Sequence, residues 1–227
     1  STRKESSAAS DVYKRQPMIA HGLQVASVGV LIDPDQPMIW RGPLAVSALQ
    51  QLLKQTNWKD LDYLIVDMPP GTGDIQLSLS QEVPLTGAVV VTTPQDIALM
   101  DARKGLVMFE KVNVPILGII ENMATHICSK CGHEEHIFGE GGAAKMAAQY
   151  GVDLLGELPL DINIRLSMDK GEPIVISEPD SKVAQVYRDI ARKLAIAVSK
   201  KNKDYSAKMP SIKAVSYTHL TLPTTPY

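Results

Sequence analysis

Cysteine is nearly missing from this chain: its 227 residues contain two, Cys128 and Cys131. A single pair separated by two residues excludes a disulfide framework and reads as a metal or redox pair. An excess of one charge sign is missing too. The 23 basic and 25 acidic residues are interspersed and leave a net charge of -2, so there is no basic stripe of the kind nucleic-acid binding requires. No apolar run approaches a membrane span, and the polar start has no signal-peptide core. Together these absences predict a cytoplasmic protein with neither a nucleic-acid nor a membrane partner. What is present suffices for one substantial core, with 44% hydrophobic and 21% charged residues.

The chain is organised around LDYLIVDMPPGTGD, Leu61 to Asp74. Tyr63 to Val66 is a short apolar run without alternation, the pattern of a strand buried on both faces of a parallel sheet. It stops at Asp67, at the strand end where open α/β sheets place ligands. Met68 to Asp74 is a rigid, glycine-punctuated turn leading into a helix over Ile75 to Glu82. A strand-end Asp can hold the magnesium of a nucleoside triphosphate, and Gly71 and Gly73 let backbone N–H groups approach a phosphate. The alternative is that Asp67 caps the next helix.

Ser1 to Gln16 and Ser216 to Tyr227 are expected to be disordered or foreign flanks around one domain, 17–215. Within it, Gly22 to Ile32 reads as a strand. Pro43 starts a helix whose Leu44, Ala48, Leu49, Leu52 and Leu53 share a face that would cover the sheet. Gly87 to Thr93 and Pro115 to Glu121 read as further buried strands, with a helix capped by Asp96 between them that carries Leu99, Ala102, Leu106 and Phe109 on one face. Asn122 ends the third strand, where its side chain can close a turn. Ala143 to Tyr150 is a helix, Leu154 to Leu158 a strand, and Ile162 to Pro179 a loop-rich segment. A last helix, Ser181 to Ser199, aligns Val183, Val186, Tyr187, Ile190, Leu194 and Val198. Alternating strands and helices predict an α/β fold with a doubly wound, mostly parallel sheet.

The second chemical centre is MATHICSKCGHEEHIFGEGG, Met123 to Gly142. The C-x-x-C spacing lets Cys128 and Cys131 meet one metal centre from a tight loop. A redox pair fits less well, because a thioredoxin-like pair opens a helix whereas Gly132 and charged residues follow here. A 4Fe-4S cluster usually takes four thiolates, which two copies related by a two-fold axis would supply. Zinc remains open, since His126, His133 and His136 flank the cysteines. The glycines of Phe138 to Gly142 read as a hinge into the next helix, although a helix N-terminus can also bind an anion.

Several segments together resemble one family: the Leu61 to Asp74 stretch, WRGP (Trp40 to Pro43), GAVVVTTPQDIAL (Gly87 to Leu99), GIIENM (Gly118 to Met123), CSKCGH (Cys128 to His133), FGEGGA (Phe138 to Ala143) and LGELPLD (Leu155 to Asp161). They are similar to the deviant P-loop ATPases related to MinD, in particular the Mrp/ApbC family of iron–sulfur cluster carriers, over roughly Pro17 to Val215. The resemblance implies a MinD-like P-loop NTPase fold without its first strand and glycine-rich P-loop, since nothing like KGGVGKS occurs in these residues. It further implies a homodimer that bridges one 4Fe-4S cluster between two C-x-x-C motifs and passes it to recipient iron–sulfur apoproteins, using ATP and Mg2+. Asp67 would anchor magnesium, Gly71, Gly73 and Asp74 would belong to the phosphate-sensing switch, Asn122 would read adenine, and Pro159 and Leu160 would line the base pocket. No chemical role follows for Trp40 to Pro43. With no P-loop lysine, this polypeptide is expected to bind ATP weakly and not to hydrolyse it. A MinD- or ParA-like positioning ATPase is disfavoured by the lack of a basic amphipathic terminal helix and of a basic patch.

Overall fold

A computed structural model describes residues 15–27, 42–68, 76–77, 80, 83, 85–128 and 130–201. In chain order the elements are β1 (Met18–Ala20), β2 (Leu23–Val25), α1 (Gly42–Lys54), β3 (Ala88–Thr92), α2 (Asp96–Lys111), β4 (Ile116–Glu121), β5 (His126–Ile127), β6 (Glu134–Glu135), α3 (Gly142–Tyr150), β7 (Leu154–Glu157), α4 (Ile162–Asp169), α5 (Ile174–Ser177) and α6 (Lys182–Lys200).

Strands β3, β4 and β7 form a parallel sheet in that order, with Val90 opposite Ile119 and Ile119 opposite Leu154. Successive residues of a strand face opposite sides, and the core divides accordingly. On one face Val90, Leu106, Ile119, Ala143, Met146 and Ala147 pack together, so α2 and α3 lie there. On the other, Val89, Ile120 and Leu155 meet Val186, Tyr187, Ile190 and Leu194 of α6. Both β–α–β crossovers step the same way across the sheet and so lay their helices on one face. The last helix covers the other, giving the doubly wound α/β arrangement. Leu106 and Ile119 are fully buried, and α6 begins as the sequence suggests, with the Ser181 hydroxyl accepting from the Ala184 N–H at 3.1 Å. Among the described residues no helix is long and apolar enough to cross a membrane.

Elsewhere the structure corrects the sequence. Tyr63 to Val66 is not a buried strand: 61–68 is irregular, with Ile65 84% and Tyr63 62% exposed. An apolar run becomes a strand only where a neighbouring ladder receives it, and among the described residues β3 is the edge of the sheet, its Val91 60% exposed. Helix α1 forms as expected, and among its described side chains, from Val46 onwards, none belongs to either core cluster. The strand expected from Gly22 is instead the second arm of a hairpin, β1 and β2 pairing across His21 and Gly22 at φ 50 and 78. Two consecutive positive φ angles make a tight turn that suits strand twist. Asp96 is the first residue of α2 and Gln95 takes the cap position. Ile162 to Pro179 holds two helices, because the Asp161 carboxylate accepts from the Asn163 N–H at 2.7 Å and starts α4. Arg15, inside the stretch read as a flank, pairs with Thr56. Of the other expected features, 1–14, 28–41 and 202–227 lie outside the described residues.

Candidate metal and nucleotide site

The cysteines sit at the tip of a small hairpin. Strands β5 and β6 pair antiparallel, His126 opposite Glu135 and Ile127 opposite Glu134. The ladder continues where the Cys128 N–H donates to the His133 carbonyl at 2.9 Å, and the loop closes where the Gly132 N–H donates to the Cys128 carbonyl at 2.8 Å. Gly132 lies at φ 71, a conformation that glycine adopts without the steric penalty of a Cβ. This wrapping sets the chemistry of the first thiol. The backbone N–H groups of Lys130 and Cys131 and the Cys131 side chain hydrogen-bond to the Cys128 sulfur and lower its pKa, with a smaller contribution from His126; partial burial opposes them. Hydrogen bonds to the charged form favour it, so the thiolate, the form that binds metal, is more accessible at Cys128 than at an ordinary cysteine. Cys128 is half-buried and Cys131 exposed, and both are free.

The hairpin rises from the carboxyl ends of β4 and β7, where parallel sheets place ligands. Main-chain bonds zip these ends together: Leu158 N–H to the Glu121 carbonyl at 2.8 Å, Ala124 N–H to the Leu158 carbonyl at 2.9 Å, and Leu160 N–H to the Thr125 carbonyl at 2.7 Å. Asn122, Pro159 and Leu160 are therefore neighbours, each half-buried. The Asn122 side-chain oxygen accepts from the Met123 N–H at 3.0 Å, closing the turn locally. Asp67 is exposed and lies in the irregular stretch. Gly71, Gly73 and Asp74 lie outside the described residues.

Two histidines flanking the cysteines are engaged with the main chain. The His126 Nδ1 meets the Leu160 carbonyl at 3.1 Å, and the His136 Nδ1 meets the Ala124 carbonyl at 3.0 Å. A carbonyl only accepts, so each Nδ1 carries the proton. The His136 Nε2 stands 3.9 Å from the Glu140 carboxylate. Among the described residues no three His, Cys, Asp or Glu side chains gather as a metal-holding group.

Glu121 has no counterpart among the sequence-derived candidates. Ending β4 at 1% exposure, its carboxylate accepts from the Ala143 N–H at 2.5 Å in the first turn of α3. The anion at this helix N-terminus is thus the chain's own carboxylate, which suits the positive end of the helix dipole. The only signal in the sequence is a charged residue closing an otherwise apolar strand. Beside it, Gly142 is needed for close approach, because a Cβ there would stand 2.6 Å from the Leu99 side chain. A cleft of about 400 Å³ lies between the start of α2 and this segment, lined by Gln95, Arg103, Glu140 and Lys145 among others.

With this geometry in view, the model of the NUBPL iron-transfer P-loop NTPases matches residues 2–195. The chain belongs to that family. It is 60% identical over 179 residues to a protein of Escherichia coli (strain K12) named iron-sulfur cluster carrier protein, an alignment that takes in 79% of the chain and 48% of the relative. The chain thus spans about half the length of that curated relative. Among solved structures, a nucleotide-binding protein from Archaeoglobus fulgidus in complex with ADP, with Co found in it, is 31% identical with a TM-score of 0.60, over 74% of this chain and 65% of that one. The septum site-determining protein MinD from Pyrococcus horikoshii, complexed with Mg-ADP, aligns over 72% and 60% with a TM-score of 0.51 at 24% identity. The latter shows the fold alone, and it is the MinD-like P-loop NTPase fold the sequence led us to expect.

Proposed function

We propose that this chain is a cytoplasmic iron–sulfur cluster carrier in which two copies hold one 4Fe-4S cluster between their Cys128 and Cys131 pairs and pass it to recipient apoproteins. The observation that carries this reading is the hairpin tip: two accessible thiols, one stabilised as thiolate by backbone N–H groups, with no third ligating side chain converging on them among the described residues. Such a site offers half of a four-thiolate set. A second copy related by a two-fold axis completes it, and an exposed, shared cluster can be surrendered one thiolate pair at a time.

ATP and Mg2+ belong to the same proposal. The neighbouring ends of β4 and β7 would receive the base, with the Asn122 amide, whose oxygen already accepts from the Met123 N–H, reading its edge and Pro159 and Leu160 forming the adjoining wall. Asp67 would hold the magnesium, with Gly71 and Gly73 sensing the terminal phosphate and Asp74 closing the switch. Bound ATP and magnesium would order the Gly71 to Asp74 segment and hydrolysis would release it, shifting the two hairpins relative to one another. These 227 residues contain no Gly-Lys-Ser/Thr loop, and we expect them to bind ATP weakly and not to hydrolyse it. Tight magnesium-dependent binding in calorimetry would overturn that expectation.

A structural zinc held by both thiolates and two imidazoles is the second reading. One observation favours it: a carbonyl-bound Nδ1 leaves the Nε2 of His126 and His136 as the lone-pair nitrogen. Anaerobic reconstitution separates the two, comparing the chain with a Cys128→Ser/Cys131→Ser variant and measuring iron, sulfide, zinc and oligomeric state. About four irons per dimer, lost in the variant, is the expected result. One zinc per monomer without iron would refute the carrier reading.

A further inference from the structure

The hairpin that carries the cysteines is only two residues wide in each strand, and so short a ladder is marginal by itself. A ring nevertheless holds each arm at its foot, one to the segment after β7 and the other to the segment that joins β4 to the hairpin. On the incoming arm His126 donates to the carbonyl of Leu160, beyond the end of β7. On the outgoing arm His136 donates to the carbonyl of Ala124, beyond the end of β4. The two anchors lie on adjacent strand ends that are themselves bonded to each other through Ala124 and Leu158 and through Leu160 and Thr125.

We propose that His126 and His136 are positioning residues that fix the Cys128/Cys131 pair relative to the carboxyl ends of β4 and β7. This rests on the reading of the cysteines as the metal site. Each tether runs through Nδ1, and the thiolates are presented at a set place and angle because two independent rings hold the hairpin at its two feet. The tie at Leu160 also makes a backbone group of the expected base pocket a direct partner of the metal hairpin.

The test is substitution of each histidine in the full 227-residue chain, by Phe and by Asn. Phe keeps a planar ring but donates nothing. Asn places a side-chain N–H where Nδ1 stands, and has no Nε2. Co2+ is the probe, read by its thiolate charge-transfer and visible bands and by competition with a chelator, alongside the thermal midpoint of each chain. Amide hydrogen exchange at Cys128 and Gly132 is followed without metal. Loss of one tether is expected to weaken Co2+ binding roughly three- to tenfold, alter the visible bands and quicken exchange at the hairpin. The Asn variants should return all three towards the starting chain, with thermal midpoints unchanged throughout.

Phe variants that match the starting chain in both exchange and cobalt spectrum would overturn the proposal. So would Phe and Asn variants equally impaired, which would make Nε2 a ligand instead of Nδ1 a tether. If the starting chain binds no Co2+ through its cysteines, as judged against Cys128→Ser/Cys131→Ser, the reading of the metal site fails. The exchange measurement still decides then whether the rings hold the hairpin.

Discussion

Replacing Glu121 tests the logic of the fold where it meets the site. The carboxylate is 1% exposed, its partner Ala143 is fully buried, and they are joined by a 2.5 Å hydrogen bond across the end of β4. In Glu121→Ala the Ala143 N–H has no acceptor and water has no route to replace one. An unsatisfied buried donor costs about 1–3 kcal/mol, and the deleted side chain leaves a void whose cost adds to it. We therefore expect a loss of about 3 kcal/mol. Glu121→Gln keeps the shape and an acceptor oxygen but removes the negative charge from the helix N-terminus, and should cost about 1 kcal/mol. Urea unfolding followed by circular dichroism measures both. With a slope of about 2 kcal/mol per molar urea, the Ala variant moves the midpoint by about 1.5 M and the Gln variant by about 0.5 M, at unchanged slope. Equal destabilisation by the two would refute the role of the hydrogen bond. A midpoint unmoved by either would refute the reading of Glu121 as the acceptor that seats α3.

Cys128 should show its lowered pKa in a pH–rate profile of alkylation. In a Cys131→Ser background the two backbone donors persist, so the midpoint should lie below that of the same chain in denaturant; a midpoint at or above it would refute the arrangement. The sign for stability follows from the folded thiolate being favoured: the contribution is complete above the ordinary thiol pKa and is lost as pH falls through the lowered folded value. At Gly156, an added Cβ would stand 2.5 Å from Cγ1 and 2.8 Å from Cδ1 of Ile190. Gly156→Ala should therefore cost about 1–3 kcal/mol through overpacking. Combining it with Ile190→Ala should destabilise by less than the sum of the two single changes. Strict additivity in thermal unfolding would mean that α6 does not pack on β7 there.

The sequence pattern located the elements that close their own hydrogen bonds or alternate between two covered faces. β3 and β4 were legible because Ala88 to Val91 and Ile116 to Ile120 are apolar runs, and α6 because Ser181 begins it and a single stripe from Val186 to Leu194 meets the sheet. Tyr63 to Val66 has the same composition and was misread, since composition states what a strand needs and not whether a neighbour receives it. Helix α4 was missed for the opposite reason. Its Ile162, Leu166 and Met168 are exposed and Ser167 is the buried residue, so no apolar face announces it. Only the Asp161 cap does, and one carboxylate before a polar, loop-like stretch is a weak signal.

The site divides along a similar line. Cys128 and Cys131 declare themselves by type and spacing. Asn122 and Leu160 could be placed together only through the resemblance, because 38 positions of chain separate them and the parallel ladder alone makes them neighbours. The histidine tethers were harder still. Their acceptors are the main-chain carbonyls of Leu160 and Ala124, and a carbonyl is the same whatever side chain it bears. No residue type at either acceptor could have signalled the contact, and the ligand-like spacing of His126 and His136 around the cysteines pointed to a metal instead. A histidine beside a C-x-x-C therefore has two chemically distinct uses that look identical in sequence. They are separated by the nitrogen that carries the proton: Nδ1–H on a carbonyl ties the loop down, and whether the opposite nitrogen also reaches a metal is decided by a side chain such as Asn, which can replace the first and not the second.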